Sequence, residues 1–586
     1  MHVRQYALIA LAIAVCGGMT ARAQTSNYIF CPNALNAAGQ AFTPAGGNGS
    51  ILIMAIQGCA WNVTGTPGWV TLTSSATGIG IGTLTYHVAA NAGGDRTADI
   101  TIAGVNFRVE QEAGALPGLA FIGSMAHLAA EENWTTAFTI VNKDTISAIA
   151  RLSFSGDALD PGGNGALTLP LAFPQQAAVT VPLLAATLDR TVASNASLII
   201  DTAGVQAPPV LVGSAQLMAT GALDGFAIFH QIATNQEAVV PLETRSAGSY
   251  LLAFDNTAGL TLGVALANIS AQAASIPVII RSDNGTVIGA PGAAISLAGN
   301  GHTAFVLADP VVGFPVTANI RGTIEFDTPA GGRISVLGLR FTPPNNALTT
   351  IPAMANVGTN GGSIAHLATG NGWQTTFVLV NVGVSATQVN LNFFDDNGSP
   401  LSLPLSFPQS GGGSATVSPS VNHLLPAGGT LIVESAAPQS DPVPTVGSAQ
   451  LTTNGNVGGF VIFRYNPDGQ EAVVPLENRS ANAYILAFDN TGDISTGVAV
   501  NSVATHVVNI PVTVRDVTGA QIAADTITLR PNGHLSFTLG SDKYPATVGI
   551  RGTIEFDTPA IAQIGVLGIR IPAAAHTFTT LPALAK

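Results

Sequence analysis

Between positions 389 and 393 apolar and polar side chains alternate: Val389, Leu391 and Phe393 are separated by Asn390 and Asn392. A period of two places the apolar three on one face of an extended strand and the amides on the other. Asp395-Asp396-Asn397-Gly398 follows, and Asn and Gly tolerate the positive φ of a tight turn. Further short apolar runs at 401–405, 430–434, 445–452, 459–464 and 472–476 predict a strand every few residues. Seven or eight short strands in about 115 residues is the density of a β-sandwich, and a unit of that size can bury its own core. No segment carries a long helical period. The expected fold class is all-β, with tandem immunoglobulin-like β-sandwich domains in a multi-domain chain.

The pattern is written twice. Gly123-Ser124-Met125-Ala126-His127-Leu128 returns as Gly362-Ser363-Ile364-Ala365-His366-Leu367, and Trp134 returns as Trp373. The segment from Glu237 to Glu243 recurs letter for letter at Glu471 to Glu477, and Arg321 to Ala330 recurs from Arg551 to Ala560. Duplication of this kind fixes the domain plan before any other feature. Each copy divides again, because both halves close with strand, loop, strand and a short proline-bearing strand. The expected plan is a signal at 1–23 and a first domain at 24–114. The halves of one repeat follow at 118–245 and 246–355, and those of the next at 360–480 and 481–586.

The first domain has a pattern of its own. Cys59-Ala60-Trp61 is followed by Gly68-Trp69-Val70 and by Gly78-Ile79-Gly80-Ile81-Gly82. Tyr86, Asn91 and Arg96 come next, and Asn106 to Gln111 reads as a closing strand. This set resembles the Bacteroidetes-associated carbohydrate-binding, often N-terminal, domain family over about 85 residues. The resemblance implies a small immunoglobulin-like sandwich attached to secreted multi-domain proteins. It also implies, as a family expectation, carbohydrate binding, but no sugar-contacting residue carries over by motif. The duplicated region resembles no family we recognise.

Composition narrows the function. His2 and Arg4 precede an apolar stretch from Tyr6 to Val15, and Ala21-Arg22-Ala23 stands before Gln24. That is the layout of a cleavable export signal; a lipid anchor at Cys16 is the alternative, disfavoured by bulky Val15. The predicted location is outside the cytoplasm: extracellular, cell surface or periplasm. No later run is long enough for a membrane helix. Thirty-three acids oppose 20 bases, for a net charge of −13, and no basic stripe exists to neutralise phosphates, so nucleic acid is not an expected partner. With Cys16 removed, Cys31 and Cys59 remain as one pair. In an oxidising compartment a disulfide is the simplest reading, and two ligands make no closed zinc site.

Motifs for catalysis are missing. No His precedes Glu in H-E-x-x-H, no Ser lies in G-x-S-x-G, and no Lys follows Gly as in a phosphate loop. The sharpest polar set is Arg321, Glu325, Asp327 and Arg340, repeated as Arg551, Glu555, Asp557 and Arg570. It reads as a cross-strand ion pair on a hairpin, against a ligand or calcium patch. Trp69, Trp134 and Trp373 are candidates for stacking on a sugar ring, weighed against burial as core anchors; Trp61, beside the cysteine pair, reads as core. His127, His302, His366 and His534 read as separate hydrogen-bonded structural residues. The expectation is therefore a non-catalytic binding or adhesion protein without cofactor or metal, with polysaccharide or another envelope or surface protein as partner. A structural envelope or matrix component is the alternative, and a hydrolase with an unrecognised site the third.

Overall fold

A computed structural model describes residues 31–586 apart from 32, 115, 158–164, 176–180, 205, 345–346, 357–360, 412–413 and 574–576. The signal read at 1–23, with Cys16 and Gln24, lies outside the described residues. The chain is all-β, and its antiparallel sheets stack in pairs as sandwiches. Val389, Leu391 and Phe393 are 0–1% exposed in the strand Thr387–Phe394, while Asn390 and Asn392 between them are not buried. Alternation thus selects the buried face.

Five pairs of sheets follow one another, referred to below as the first to fifth sandwich. The second (120–241) and the fourth (361–475) have the same strand order in both sheets, and so do the third (249–355) and the fifth (483–585). In the second, one sheet runs Ala120–Ala130, Leu211–Ala219, Ala148–Gly156, Thr187–Val192. The facing sheet runs Gln236–Pro241, Leu223–Gln231, Trp134–Asn142, Ser197–Thr202, Leu169–Ala172, Leu183–Ala185.

The sandwiches are not beads on a string. Apolar side chains of the second pack with Ala265, Leu337, Leu339 and Leu348 of the third. The third shares a core with Val378, Val380, Phe460 and Ile462 of the fourth, and the fourth with Ala499, Leu567 and Phe578 of the fifth. The circle then closes: Ile485, Ala487, Leu581 and Leu584 of the fifth meet Val141, Phe226 and Val239 of the second. At the middle lies one edge strand from each of the four, Gln236–Pro241, Ala347–Pro352, Gln470–Pro475 and Thr579–Leu581, each against the next. Thr350 Oγ1 donates to the Val239 carbonyl at 2.7 Å, and Thr580 Oγ1 repeats the bond to Val473 at 2.8 Å. The duplicated region is thus a closed ring of four sandwiches.

The first sandwich joins this ring by sheet extension. Its strand Gly39–Phe42 pairs in parallel with Leu183–Ala185 of the second, giving one sheet of eleven strands. The salt bridge from Arg190 to Glu110 (3.1 Å) braces the joint. Inside the first sandwich, the glycine run from Gly78 to Gly82 cradles Trp61. A Cβ at Gly78 would collide with the indole, and one at Gly82 would come within 2.7 Å of it. The indole Nε1–H donates to the Gly80 carbonyl at 2.9 Å. Those glycines are required by the packing of one ring.

Candidate functional site: two clefts between the repeats

The strand Arg551–Asp557 turns Ile554 and Phe556 into the core of the fifth sandwich, both fully buried. Alternation therefore sends Arg551, Thr553 and Glu555 to the outer face, which the neighbouring repeat covers. Asp489 lies directly opposite Arg551 in the paired strand and accepts from its Nε at 3.0 Å. Arg570 arrives from the other sheet of the same sandwich. It donates from Nη1 to Asp489 at 3.2 Å and from Nε to Glu237 of the second sandwich at 3.0 Å. Around these groups lies a cleft of about 290 Å³, lined also by Asp201, His230, Phe226 and Phe488.

A second cleft, of about 240 Å³, occupies the equivalent place between the third and fourth sandwiches. There Arg321 donates to Asp255 at 2.7 Å. Arg340 donates to Glu471 Oε2 at 2.8 Å, and Thr342 Oγ1 bonds the same oxygen. Arg464 adds a bond to Glu471 Oε1 at 2.9 Å. Glu434 lines this cleft, and burial pushes its carboxyl up from the ordinary value.

Electrostatics differ between the carboxylates. Burial pushes Asp201 up to about 6, against the pull of Arg551 and Arg570. Burial also works against the charge on Asp489. Hydrogen bonds from Thr491 and the nearness of Arg570 and Arg551 nonetheless hold it below the usual range. The clefts thus set arginine donors beside carboxylates of unlike proton affinity over an apolar floor.

Of the repeated charged set, the four arginines line these clefts, but the expected hairpin ion pair is not what forms. The strands Arg321–Asp327 and Ile334–Thr342 belong to different sheets, so the link between them crosses the sandwich. Glu325 is bound by Arg281 at 2.7 Å, and Glu555 by Arg515 and Lys586, both at 2.6 Å. Asp327 and Asp557 have their carboxyls raised by burial and by the adjacent glutamate. Sequence reasoning passed over Asp201, Glu434, Glu237 and Glu471 as site residues. The last two were signalled by their recurrence in identical segments. Asp489 anchors two arginines.

Where each repeat folds on itself, the recurrent histidines meet. His302 Nδ1 bonds Asp157, and His302 Nε2 lies 3.3 Å from His127 Nδ1. In the other repeat His534 Nδ1 bonds Asp396 at 2.8 Å, and His534 Nε2 lies 3.0 Å from His366 Nδ1. With Asp accepting from Nδ1–H, each inner nitrogen pair has one donor and one acceptor when the outer imidazole is neutral. Burial pushes His127 and His366 down to about 3. These residues form carboxylate–imidazole–imidazole chains, a pairing that their sequence separation conceals.

The tryptophans are distributed differently from one another. The Arg96 guanidinium covers Trp69 at 4.5 Å from its ring centroid. Trp134 is half-buried against Phe229. Trp373 wedges between Tyr465 and Phe578, the latter from the fifth sandwich. The three do not come together in a common groove. Cys31 and Cys59 are disulfide-bonded with Cα atoms 5.7 Å apart.

Comparison with protein-family profiles and with curated proteins finds no match. Among solved structures, a Bacteroides ovatus GH5 xyloglucanase in complex with a XXXG heptasaccharide is similar over 15% of this chain, at 20% identity and TM-score 0.13; this chain spans 20% of its length. Surface layer protein SbsC, domains 4–9, aligns over 94% of this chain and 82% of its own at 11% identity and TM-score 0.12. A Salmonella alpha-2-macroglobulin variant aligns over 95% of this chain and 46% of its own at 8% identity and TM-score 0.13.

Proposed function

We propose that the chain is an exported binding or adhesion protein that acts without catalysis, presenting its first sandwich on a rigid four-sandwich base. The observation that carries this reading is the parallel pairing of Gly39–Ala41 with Leu183–Ala185. Main-chain hydrogen bonds and the Arg190–Glu110 bridge hold the first sandwich to the ring in one orientation. Its opposite sheet is left outward, with Asn48, Leu52, Met54 and Ile56 exposed along the strand Gly47–Ala55 and its end. The disulfide suits an oxidising compartment, which supports export. The family resemblance of this sandwich makes polysaccharide the first ligand class to test.

The test is affinity electrophoresis and pull-down of the full chain with xyloglucan, xylan, cellulose and peptidoglycan. Retention by one polymer, lost in Leu52→Asp/Met54→Asp but kept in Glu434→Gln, is the expected result. No retention by any polymer, with concentration-dependent self-assembly in light scattering, would replace this reading with that of a structural envelope component.

A further inference from the structure

The two clefts between the repeats are built alike but finished differently. Register places Asp201 of the second sandwich where the fourth has Glu434, and His230 where it has Arg464. In the third–fourth cleft, Arg464 and Arg340 both bind Glu471 and complete a network. In the second–fifth cleft a histidine, His230, stands in place of that second arginine, and Asp201 Oδ1 is buried without a hydrogen-bond partner among the described residues. An unsatisfied buried acceptor costs about 1–3 kcal/mol, and native folds leave few of them. The cleft around it is about 290 Å³, near the lower end of small-molecule sites.

We propose that the cleft between the second and fifth sandwiches binds one neutral polyhydroxylated ring, a sugar unit with free neighbouring hydroxyls. The charges select against ions. Arg551 and Arg570 are already matched by Asp489 and Glu237, so an anion would face Asp201 with both arginines engaged elsewhere. A cation would face both arginines. A hydroxyl group both donates and accepts, so one can donate to Asp201 while its neighbour accepts from an arginine N–H. Phe226, Ile228, Phe488 and Leu581 supply the apolar wall that the C–H face of a pyranose needs. The site is separate from the first sandwich and does not depend on what that sandwich binds.

Saturation-transfer NMR on the full chain, with glucose, galactose, mannose, xylose, N-acetylglucosamine, cellobiose and lactose at millimolar concentration, tests this. The expected result is transfer to at least one of these sugars, lost in Asp201→Ala and weakened several-fold in the isosteric Asp201→Asn. Glu434→Gln in the other cleft should leave it unchanged. Thermal unfolding checks each variant, and if Asp201→Ala does not fold, Asp201→Asn carries the comparison. Transfer to none of the sugars overturns the proposal and leaves a water-filled cleft. Transfer that persists unaltered in the folded Asp201 variants overturns it as well. Polymer retention by the first sandwich is read separately, so either reading can fail alone.

Discussion

Arg570 and Glu237 stand 333 residues apart in the chain and meet at 3.0 Å between the fifth and second sandwiches. Their side chains are only 15% and 11% exposed. The contact is the seam at which the ring shuts, and Arg340 with Glu471 is its counterpart on the other side.

Removing one member of a buried pair leaves an uncompensated charge, which costs about 3–5 kcal/mol. Arg570→Met should therefore lower stability by about 3 kcal/mol in urea unfolding. The Arg570→Met/Glu237→Leu double variant should recover most of that loss. Amide exchange in Thr579–Leu581 should quicken in the single variant, since that strand lies at the seam. An additive double variant would show the pair to be uncoupled.

Acid should weaken the ring through its histidines. Burial holds His127 and His366 near 3, far below the 6.5 of an exposed imidazole. Between those values the unfolded chain takes up protons that the folded chain refuses, so stability falls with falling pH. The full contribution is present above about pH 6.5 and is lost as pH drops towards 3. Unfolding temperature measured from pH 7 to pH 4 should decline, and the decline should be shallower in His127→Gln/His366→Gln. An unchanged slope in that variant would assign the acid sensitivity elsewhere.

Asp201 should act in the opposite sense. Its carboxyl is raised to about 6 by burial, so its preference for the folded state is fullest below the ordinary carboxylate value and fades as pH rises through 6. Asp201→Asn should then stabilise the chain at pH 7 by roughly 1–3 kcal/mol and change little at pH 4. Denaturant midpoints at the two pH values measure the difference.

The disulfide closes a separation of 28 residues, and constraining a loop of that length stabilises by about 3–4 kcal/mol. The link lies wholly within the first sandwich. Reduction, or Cys31→Ser/Cys59→Ser, should move an early calorimetric transition belonging to that sandwich and leave the ring's transition in place. A uniform shift of both would mean that the two melt as one unit.

Much of this was open to reading from the chain. The alternation at Val389, Leu391 and Phe393 marks a strand because burial of one face leaves a period of two. The cysteine pair was legible from its solitude. What stayed hidden is what local pattern cannot encode. Arg340 and Glu471 carry no periodic sign of each other, and His127 and His302 are 175 positions apart. The hairpin expected for Arg321 and Arg340 failed because adjacency in sequence says nothing about which sheet the next strand joins. Glu237 and Glu471 could have been singled out by their invariance between copies, a signal that their helpful companions Val-Val-Pro diluted.

Each repeat offers the other the same two surfaces: one bearing Glu237 or Glu471, the other bearing Arg340 or Arg570. A surface pair of that kind is self-complementary under a twofold axis. A polypeptide holding one repeat alone already has both halves of the lock, and two such polypeptides would close a ring of four sandwiches between them. The present chain holds that twofold arrangement within one polypeptide. Within that polypeptide the copies differ, with Asp201 where the other repeat has Glu434 and His230 where it has Arg464, a one-sided difference that a symmetric pair of identical chains could not hold.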